Sequence, residues 1–201
     1  TFSQQNLIDY DARDRGILIH RVLQLFWEKY KSRDALEKLK SSNSLINELE
    51  AMTKEAIKTF NNYLTKQPYF LNMEIERNVS LLVAWMDQEL LRSDFTVQHT
   101  EKKETITISN LKLNLRVDRI DMDKDKKSIL IDYKTGLFNT NEWFTSRIQD
   151  PQLPLYSTKL LPDGIAFAGI SKGSLEWNSA YNQKIKSPFL LNANVKINSN
   201  I

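Results

Sequence analysis

The chain has 201 residues, with 28 Lys and Arg against 25 Asp and Glu, and a formal net charge of +3. So small an excess excludes a polybasic protein that holds DNA by charge alone. The composition, 41% hydrophobic and 26% charged, is typical of a globular domain. No apolar run approaches the roughly 18 residues that span a bilayer. The absence of cysteine excludes disulfides, thiolate zinc sites and thiolate-held iron–sulfur clusters within this chain.

The first predicted helix follows an acidic, turn-like lead-in. Asp11 or Asp14 is suited to cap it, and the helix is expected to begin near Gly16. Steps of three and four residues then place a mostly apolar set on one helical face: Ile17, His20, Leu23, Trp27 and Tyr30. A histidine on such a face is more often a packing residue than a ligand, so His20 by itself predicts no site.

Helices are predicted up to about residue 92, and strands follow. The later two of these helices cover residues 44–66 and 72–92, and Pro68 is expected to end the first of the two. Alternating apolar and polar residues then predict strands over 95–100, 104–109, 111–120 and 129–134. The remaining predicted elements are short helices over 140–149 and 152–161, and a hairpin over 164–177 that turns at Lys172 and Gly173.

The segment 115–136 contains the residues with the clearest chemical potential. A hairpin folded symmetrically about Asp125 places Asp118 directly opposite Asp132, with Cβ atoms about 5 Å apart. Opposed like charges destabilise a sheet unless a cation compensates them, and carboxylates with water suit Mg²⁺ or Mn²⁺. Lys134 shares a face with Asp132, near enough to hold a water or a phosphate. The pattern alone leaves two interpretations open: a site of metal-assisted phosphodiester hydrolysis, or a solvated polar hairpin.

The residues RVDRID followed by LIDYKTG resemble the core of the PD-(D/E)XK nuclease superfamily, and specifically its RecB-like exonuclease branch. Arg116 stands where that branch usually has glycine, and it is also a candidate for contacting DNA. The resemblance implies that Asp118 and Asp132 bind the metal ion, together with the backbone carbonyl of Tyr133. It also implies that Lys134 positions the nucleophilic water. Mg²⁺ or Mn²⁺ is the expected cofactor.

Other motifs of the same branch occur in the expected order. Gly16 and His20 match its G-x-x-x-H helix, which implies that His20 lies beside the metal. Glu101 is the candidate for an additional catalytic acid that precedes the hairpin, and Glu104 is the alternative. The resemblance gives Asp121 a supporting role rather than that of a direct metal ligand.

A Q-x-x-x-Y motif near the end of the matched region is formed by Gln152 and Tyr156, and the resemblance implies that these residues contact DNA or the active-site carboxylates. The resemblance covers residues 9–170. It implies an α/β fold, a restriction-endonuclease-like mixed sheet flanked by helices, with a helical insert in the N-terminal half. The expected organisation is a nuclease domain over 1–177, which includes the helical region 32–92, and a tail or truncated element over 178–201.

The implied activity is Mg²⁺-dependent hydrolysis of DNA, by an exonuclease, in repair or recombination. The segment YDARDRGILIHRVLQLFW is similar to bacterial probable DNA repair proteins related to AddB, whose nuclease domain ends a longer helicase-like chain. The expected partners are therefore DNA, single-stranded or with free ends, and a helicase-like region of the parent chain or a separate helicase. No membrane partner is expected, and the expected localisation is cytoplasmic. The alternative is a DNA-binding or scaffolding module that keeps the fold without catalysis.

Overall fold

The computed structural model describes residues 10–60, 66–108, 111–136 and 160–181. Within these ranges, four helices precede five strands. The helices are α1 (Ala12–Tyr30), α2 (Arg33–Ser41), α3 (Leu45–Phe60) and α4 (Pro68–Leu90). The strands are β1 (Phe95–Ile108), β2 (Leu111–Asp123), β3 (Ser128–Lys134), β4 (Gly164–Ser171) and β5 (Ser174–Tyr181). They form one sheet in the order β1-β2-β3-β4-β5, which is antiparallel except for the parallel pair β3–β4. The predicted α/β fold with a mixed sheet is confirmed.

Helix α1 begins earlier than expected because both predicted capping residues take part. The Asp11 side chain accepts hydrogen bonds from the backbone N–H of Arg13 and Asp14, and the Asp14 side chain accepts one from the N–H of Asp11. This capping box starts the helix at Ala12 rather than near Gly16. Ile17 lies on the same helical face as His20, and its side chain is 40% exposed.

The prediction that Pro68 ends a helix was also wrong. Pro68 stands in the first turn of α4, where its missing N–H costs nothing because that group has no partner within the helix. Helix α4 therefore begins four residues before the predicted start at 72. Helix α3 is described up to Phe60, and residues 61–65 lie outside the described part of the chain. The short helix α2, of which Leu36 is the buried residue, was not predicted as a separate element.

The hairpin between β2 and β3 has the predicted register. Its pairs run from Met122 opposite Ser128 to Arg119 opposite Ile131, which corresponds to a hairpin symmetric about Asp125. Asp118 and Asp132 occupy the next positions outward. The final hairpin also turns as predicted, at Lys172 and Gly173, but β5 continues to Tyr181 and so passes residue 177.

Strand β1 is one long strand rather than the two that were predicted. Its register with β2 shifts between Val97 and His99, and from there Thr100 pairs with Arg119 and Lys102 with Val117. The position between these pairs brings Glu101 level with Asp118. The backbone of Glu101 has a φ of 51°, an uncommon value for a residue with a side chain.

The main hydrophobic core lies between the helices and the sheet. Its largest fully buried side chains are three tryptophans: Trp27 on α1, Trp85 on α4 and Trp177 on β5. Burial of these rings fixes α1 and α4 against the sheet, which in turn fixes His20 relative to the strands. Among the described helices, none is long and apolar enough to cross a membrane.

Candidate active site

Three carboxylates lie level with one another across three neighbouring strands. Glu101 on β1 is level with Asp118 on β2, and Asp118 is level with Asp132 on β3, as the two registers require. Asp118 and Asp132 are buried, with exposures of 7% and 5%. We call these three residues the carboxylate row. The row concentrates negative charge where little water can solvate it.

The backbone of Tyr133 joins the carboxylate row to helix α1. Its N–H donates a hydrogen bond of 2.8 Å to Asp118 Oδ2, and its carbonyl accepts one of 2.9 Å from His20 Nε2. His20 Nε2 also lies 3.3 Å from Asp118 Oδ2. The sequence analysis placed these three residues together, and the structure brings them into direct contact.

His20 carries a positive charge in this arrangement. Its Nδ1 lies 2.9 Å from the carbonyl oxygen of Gly16, and its Nε2 the same distance from that of Tyr133. Both partners only accept hydrogen bonds, so both ring nitrogens must carry protons. Burial opposes the charge, but the hydrogen bond and the charge of Asp118 outweigh burial and raise the pKa of His20 to about 9.

Asp132 and Lys134 form an ion pair at the end of β3. Lys134 Nζ lies 2.8 Å from Asp132 Oδ2 and 5.0 Å from the centre of the Phe167 ring on β4. Side chains two residues apart on a strand project from the same face, as the sequence pattern predicted. The ammonium group is therefore held directly beside a carboxylate of the row.

Glu101 is the third carboxylate of the row, and its environment differs from that of the two aspartates. Its Oε2 lies 2.6 Å from Nε of Arg116. Burial and then the negative charge of Asp118 raise the pKa of Glu101, although Arg116 acts in the opposite direction. Glu104, the alternative candidate, is paired instead with Lys102 at 3.1 Å and does not line the cleft.

These residues line one open cleft of about 570 Å³. Its walls also include Arg13, Arg21 and Gln24 from α1, together with Thr135 and Gly136 after β3. The sequence analysis did not single out these wall residues. For Arg13 and Gln24 the spacing contained a signal, because positions 13, 17, 20 and 24 lie on one face of a helix and position 20 is His20.

Asp121 is a predicted site residue that does not line this cleft. Asp121 is fully buried, where it binds Arg92 and Arg119 rather than facing the carboxylate row. Gln152 and Tyr156 lie outside the described residues, and so do the two short helices predicted over 140–149 and 152–161, apart from residues 160 and 161. Their proposed contacts with DNA or the carboxylates remain predictions.

Comparison with known proteins identifies the family. A family model of the PD-(D/E)XK nuclease superfamily matches residues 5–190. The chain belongs to the PD-(D/E)XK nuclease superfamily. No curated protein matches it. A solved structure described as "Crystal structure of SSO0001" is similar at 12% identity with a TM-score of 0.32, over 82% of this chain and 65% of that one. The chain thus spans less than two thirds of that protein, and so remote a likeness supports no conclusion about activity.

The donor atoms of this PD-(D/E)XK site suit a divalent cation that prefers oxygen. The cleft offers the carboxylates of Asp118 and Asp132 and the carbonyl of Tyr133, with His20 and Glu101 beside them. Oxygen donors with one imidazole are compatible with Mg²⁺ or Mn²⁺. Within the described residues, no three His, Asp or Glu side chains already converge closely enough to hold an ion. Instead, Lys134 and the charged His20 neutralise the two aspartates.

Proposed function

We propose that this chain is a Mg²⁺- or Mn²⁺-dependent DNA nuclease that hydrolyses phosphodiester bonds. The observation that carries the proposal is the carboxylate row with Lys134 and the Tyr133 carbonyl in one open cleft of a PD-(D/E)XK chain. Asp118 and Asp132 are both buried, and buried carboxylates of like charge are costly without positive partners. Lys134 and His20 are those partners here, and a divalent ion could serve the same two carboxylates.

Asp118, Asp132 and the Tyr133 carbonyl are the groups proposed to hold the metal ion, with His20 at its side. A bound divalent ion lowers the pKa of water and stabilises negative charge on phosphate oxygens. The Tyr133 N–H fixes Asp118 Oδ2 at 2.8 Å, which holds that carboxylate in place before an ion arrives. In the metal-bound state, the ion would replace Lys134 and His20 as the positive partner of Asp132 and Asp118.

Lys134 is proposed to orient the attacking water. Its ammonium group lines the cleft and lies 2.8 Å from Asp132, beside the groups proposed to hold the ion. Ammonium groups placed where negative charge develops are effective in phosphoryl chemistry, because they need little reorganisation during the reaction.

The basic wall residues are proposed to bind the substrate backbone. Arg13, Arg21 and Arg116 surround the carboxylate row, and guanidinium groups suit the recognition of phosphate oxygens. Contacts of this kind hold a strand without reading its sequence. They support a nucleic-acid substrate for the cleft rather than a small neutral molecule.

The finer proposal is an exonuclease that acts on DNA ends in repair or recombination, alongside a helicase. Its support is the resemblance of RVDRID and LIDYKTG to the RecB-like branch. Single strands or free ends are the substrates that fit this role.

A non-catalytic DNA-binding module is the second candidate. It is favoured by the two ion pairs that neutralise Asp118 and Asp132 without a metal. The two candidates differ in their need for a divalent ion, because phosphate contacts from arginine do not require one.

Digestion of end-labelled linear and closed circular DNA separates these candidates. The wild-type chain should cleave linear DNA in Mg²⁺, release short products from an end, spare the closed circle and stop in EDTA. Asp132→Asn should abolish cleavage, whereas Asp125→Asn, in the exposed loop of the same hairpin, should not. Cleavage of the closed circle would show that the chain is an endonuclease and not an exonuclease. DNA binding in EDTA without cleavage in Mg²⁺ would support the binding module.

A further inference from the structure

Four charged side chains form an ion cluster in the core behind the active site. Glu89, Arg92, Arg119 and Asp121 are between 0% and 3% exposed. Arg119 and Arg92 each bind both carboxylates, at distances of 2.6 to 2.7 Å. The two positive and two negative charges cancel, so the cluster is neutral overall.

Arg119 makes further contacts in addition to its ion pairs. Its guanidinium carbon lies 4.0 Å from the centre of the Trp27 ring on α1 and 4.8 Å from that of Phe95 on β1. The same guanidinium donates a hydrogen bond of 3.1 Å to the Tyr133 hydroxyl on β3. Because Arg119 is fixed by these contacts, it gives the Tyr133 side chain a rigid anchor in the core.

The backbone of Tyr133, unlike its hydroxyl, is held by active-site side chains. The ladder between β2 and β3 ends at Arg119 and Ile131, before it reaches Tyr133. Beyond that point the Tyr133 N–H and carbonyl bind the side chains of Asp118 and His20 instead of the backbone of β2. Tyr133 thus connects the ion cluster, through its hydroxyl, to the proposed metal site, through its carbonyl.

We propose that Arg119 is a positioning residue, which fixes the Tyr133 carbonyl against His20 through the Tyr133 hydroxyl. This inference rests on the proposed function for its consequence in catalysis, although the contact itself exists without metal. The His20 ring also meets the Tyr133 ring edge to face, with centres 5.9 Å apart. A shift of the Tyr133 ring therefore displaces both the carbonyl and the imidazole that it contacts.

Tyr133→Phe is the variant that isolates this effect. It keeps the aromatic ring and removes the hydroxyl, while Arg119 retains Glu89 at 2.7 Å and Asp121 at 2.6 Å. The matched control is Tyr10→Phe, because Tyr10 is also buried but packs against Phe70, away from the cleft.

The first measurement is made without metal, by NMR of protein labelled with ¹⁵N-histidine. The chain has 2 histidines, so the exposed His99 is an internal reference for His20. Tyr133→Phe should shift the His20 Nε2 resonance and speed the exchange of its proton with water. It should leave His99 unchanged, and Tyr10→Phe should change neither. A His20 spectrum identical to that of the wild type would overturn the proposal.

The second measurement follows Mn²⁺ binding by calorimetry and DNA cleavage by kinetics. Loss of a group that orients a metal ligand weakens binding or activity by about 10-fold or more. Tyr133→Phe should therefore reduce Mn²⁺ affinity and kcat by about 10-fold and leave the KM for DNA unchanged, which a general loss of fold would not do. If the wild type neither binds Mn²⁺ nor cleaves, the proposed function fails, and the NMR result still decides the positioning role.

Discussion

At the scale of single residues, the ion pair between Asp132 and Lys134 links two proposed roles, metal binding by Asp132 and the orientation of water by Lys134. The ammonium group lies 2.8 Å from an oxygen that is also a candidate metal ligand. A cation this close stabilises the ionised carboxylate but opposes the approach of another cation. Removal of Lys134 should therefore affect metal binding and chemistry in opposite directions.

Lys134→Met tests this separation. The substitution should lower kcat by about 100-fold or more, because a group that stabilises or orients the reacting atoms is lost. Mn²⁺ affinity should be unchanged or higher, since a competing positive charge is removed. Calorimetry and single-turnover cleavage measure the two effects, with Lys172→Met in the exposed β4–β5 turn as the control. A parallel loss of Mn²⁺ affinity would contradict the assigned role of Lys134.

Gly16 allows a close contact between α1 and Thr135, the residue after β3. A Cβ atom at this position would lie 2.7 Å from Thr135 Oγ1, nearer than atoms normally approach. The carbonyl of Gly16 also binds His20 Nδ1, so the contact affects the site directly.

A double-mutant cycle tests the Gly16 contact. Gly16→Ala should destabilise the wild-type protein by about 1 kcal/mol, because overpacking exceeds the gain in helix propensity. In a Thr135→Ala background the same change should stabilise by about 1 kcal/mol, since the helix gains alanine without the clash. Urea unfolding of the four proteins measures the coupling. Equal effects in both backgrounds would show that Thr135 does not restrict Gly16.

At the scale of elements, the ion cluster attaches α4 to β2. Glu89 projects from the last turn of α4 into the core, whereas Asp87, two residues earlier, is only partly buried and pairs with Lys40. Buried charges are costly to leave unpaired, and exposed pairs contribute little. We therefore expect the ion pairs of Glu89 to matter more for stability than the pair of Asp87 with Lys40.

Glu89→Gln and Asp87→Asn form a matched pair of carboxylate-to-amide changes. Glu89→Gln should lower the free energy of unfolding by about 3 kcal/mol, because Arg92 and Arg119 lose a buried counter-charge. Asp87→Asn should change it by less than about 1 kcal/mol. Chemical denaturation checks both values. Similar small effects would mean that the cluster is not needed to attach α4 to β2.

The elements also show what the sequence could predict. The β2–β3 register followed from the symmetry of the hairpin, because alternating residues and a polar loop determine it locally. Pro68 was misassigned because proline suits both the end of one helix and the first turn of the next. The register shift between Val97 and His99 brings Glu101 level with Asp118, and no residue pattern indicates this shift or the positive φ of Glu101.

At the scale of the whole molecule, the cleft depends on residues far apart in the chain. His20 and Asp118 were predicted to meet because a family resemblance supplied the contact that spacing cannot. The ion cluster was not predicted, since its members lie at the end of α4, just after it and on β2, and burial of charge leaves no signal in composition. Arg13 and Arg21 were likewise missed, because arginines on a helix are also common for solubility, whereas Arg116 was predicted as a candidate for contacting DNA.

The most direct test of the central claim is a crystal structure with Mn²⁺, located by its anomalous scattering. We expect one ion in the cleft within about 2.5 Å of carboxylate oxygens of Asp118 and Asp132 and of the Tyr133 carbonyl, with Lys134 displaced from Asp132. Asp132→Asn crystals should lack this ion. An empty cleft with both ion pairs intact, or an ion bound elsewhere, would contradict the assignment of this cleft as a metal-dependent nuclease site.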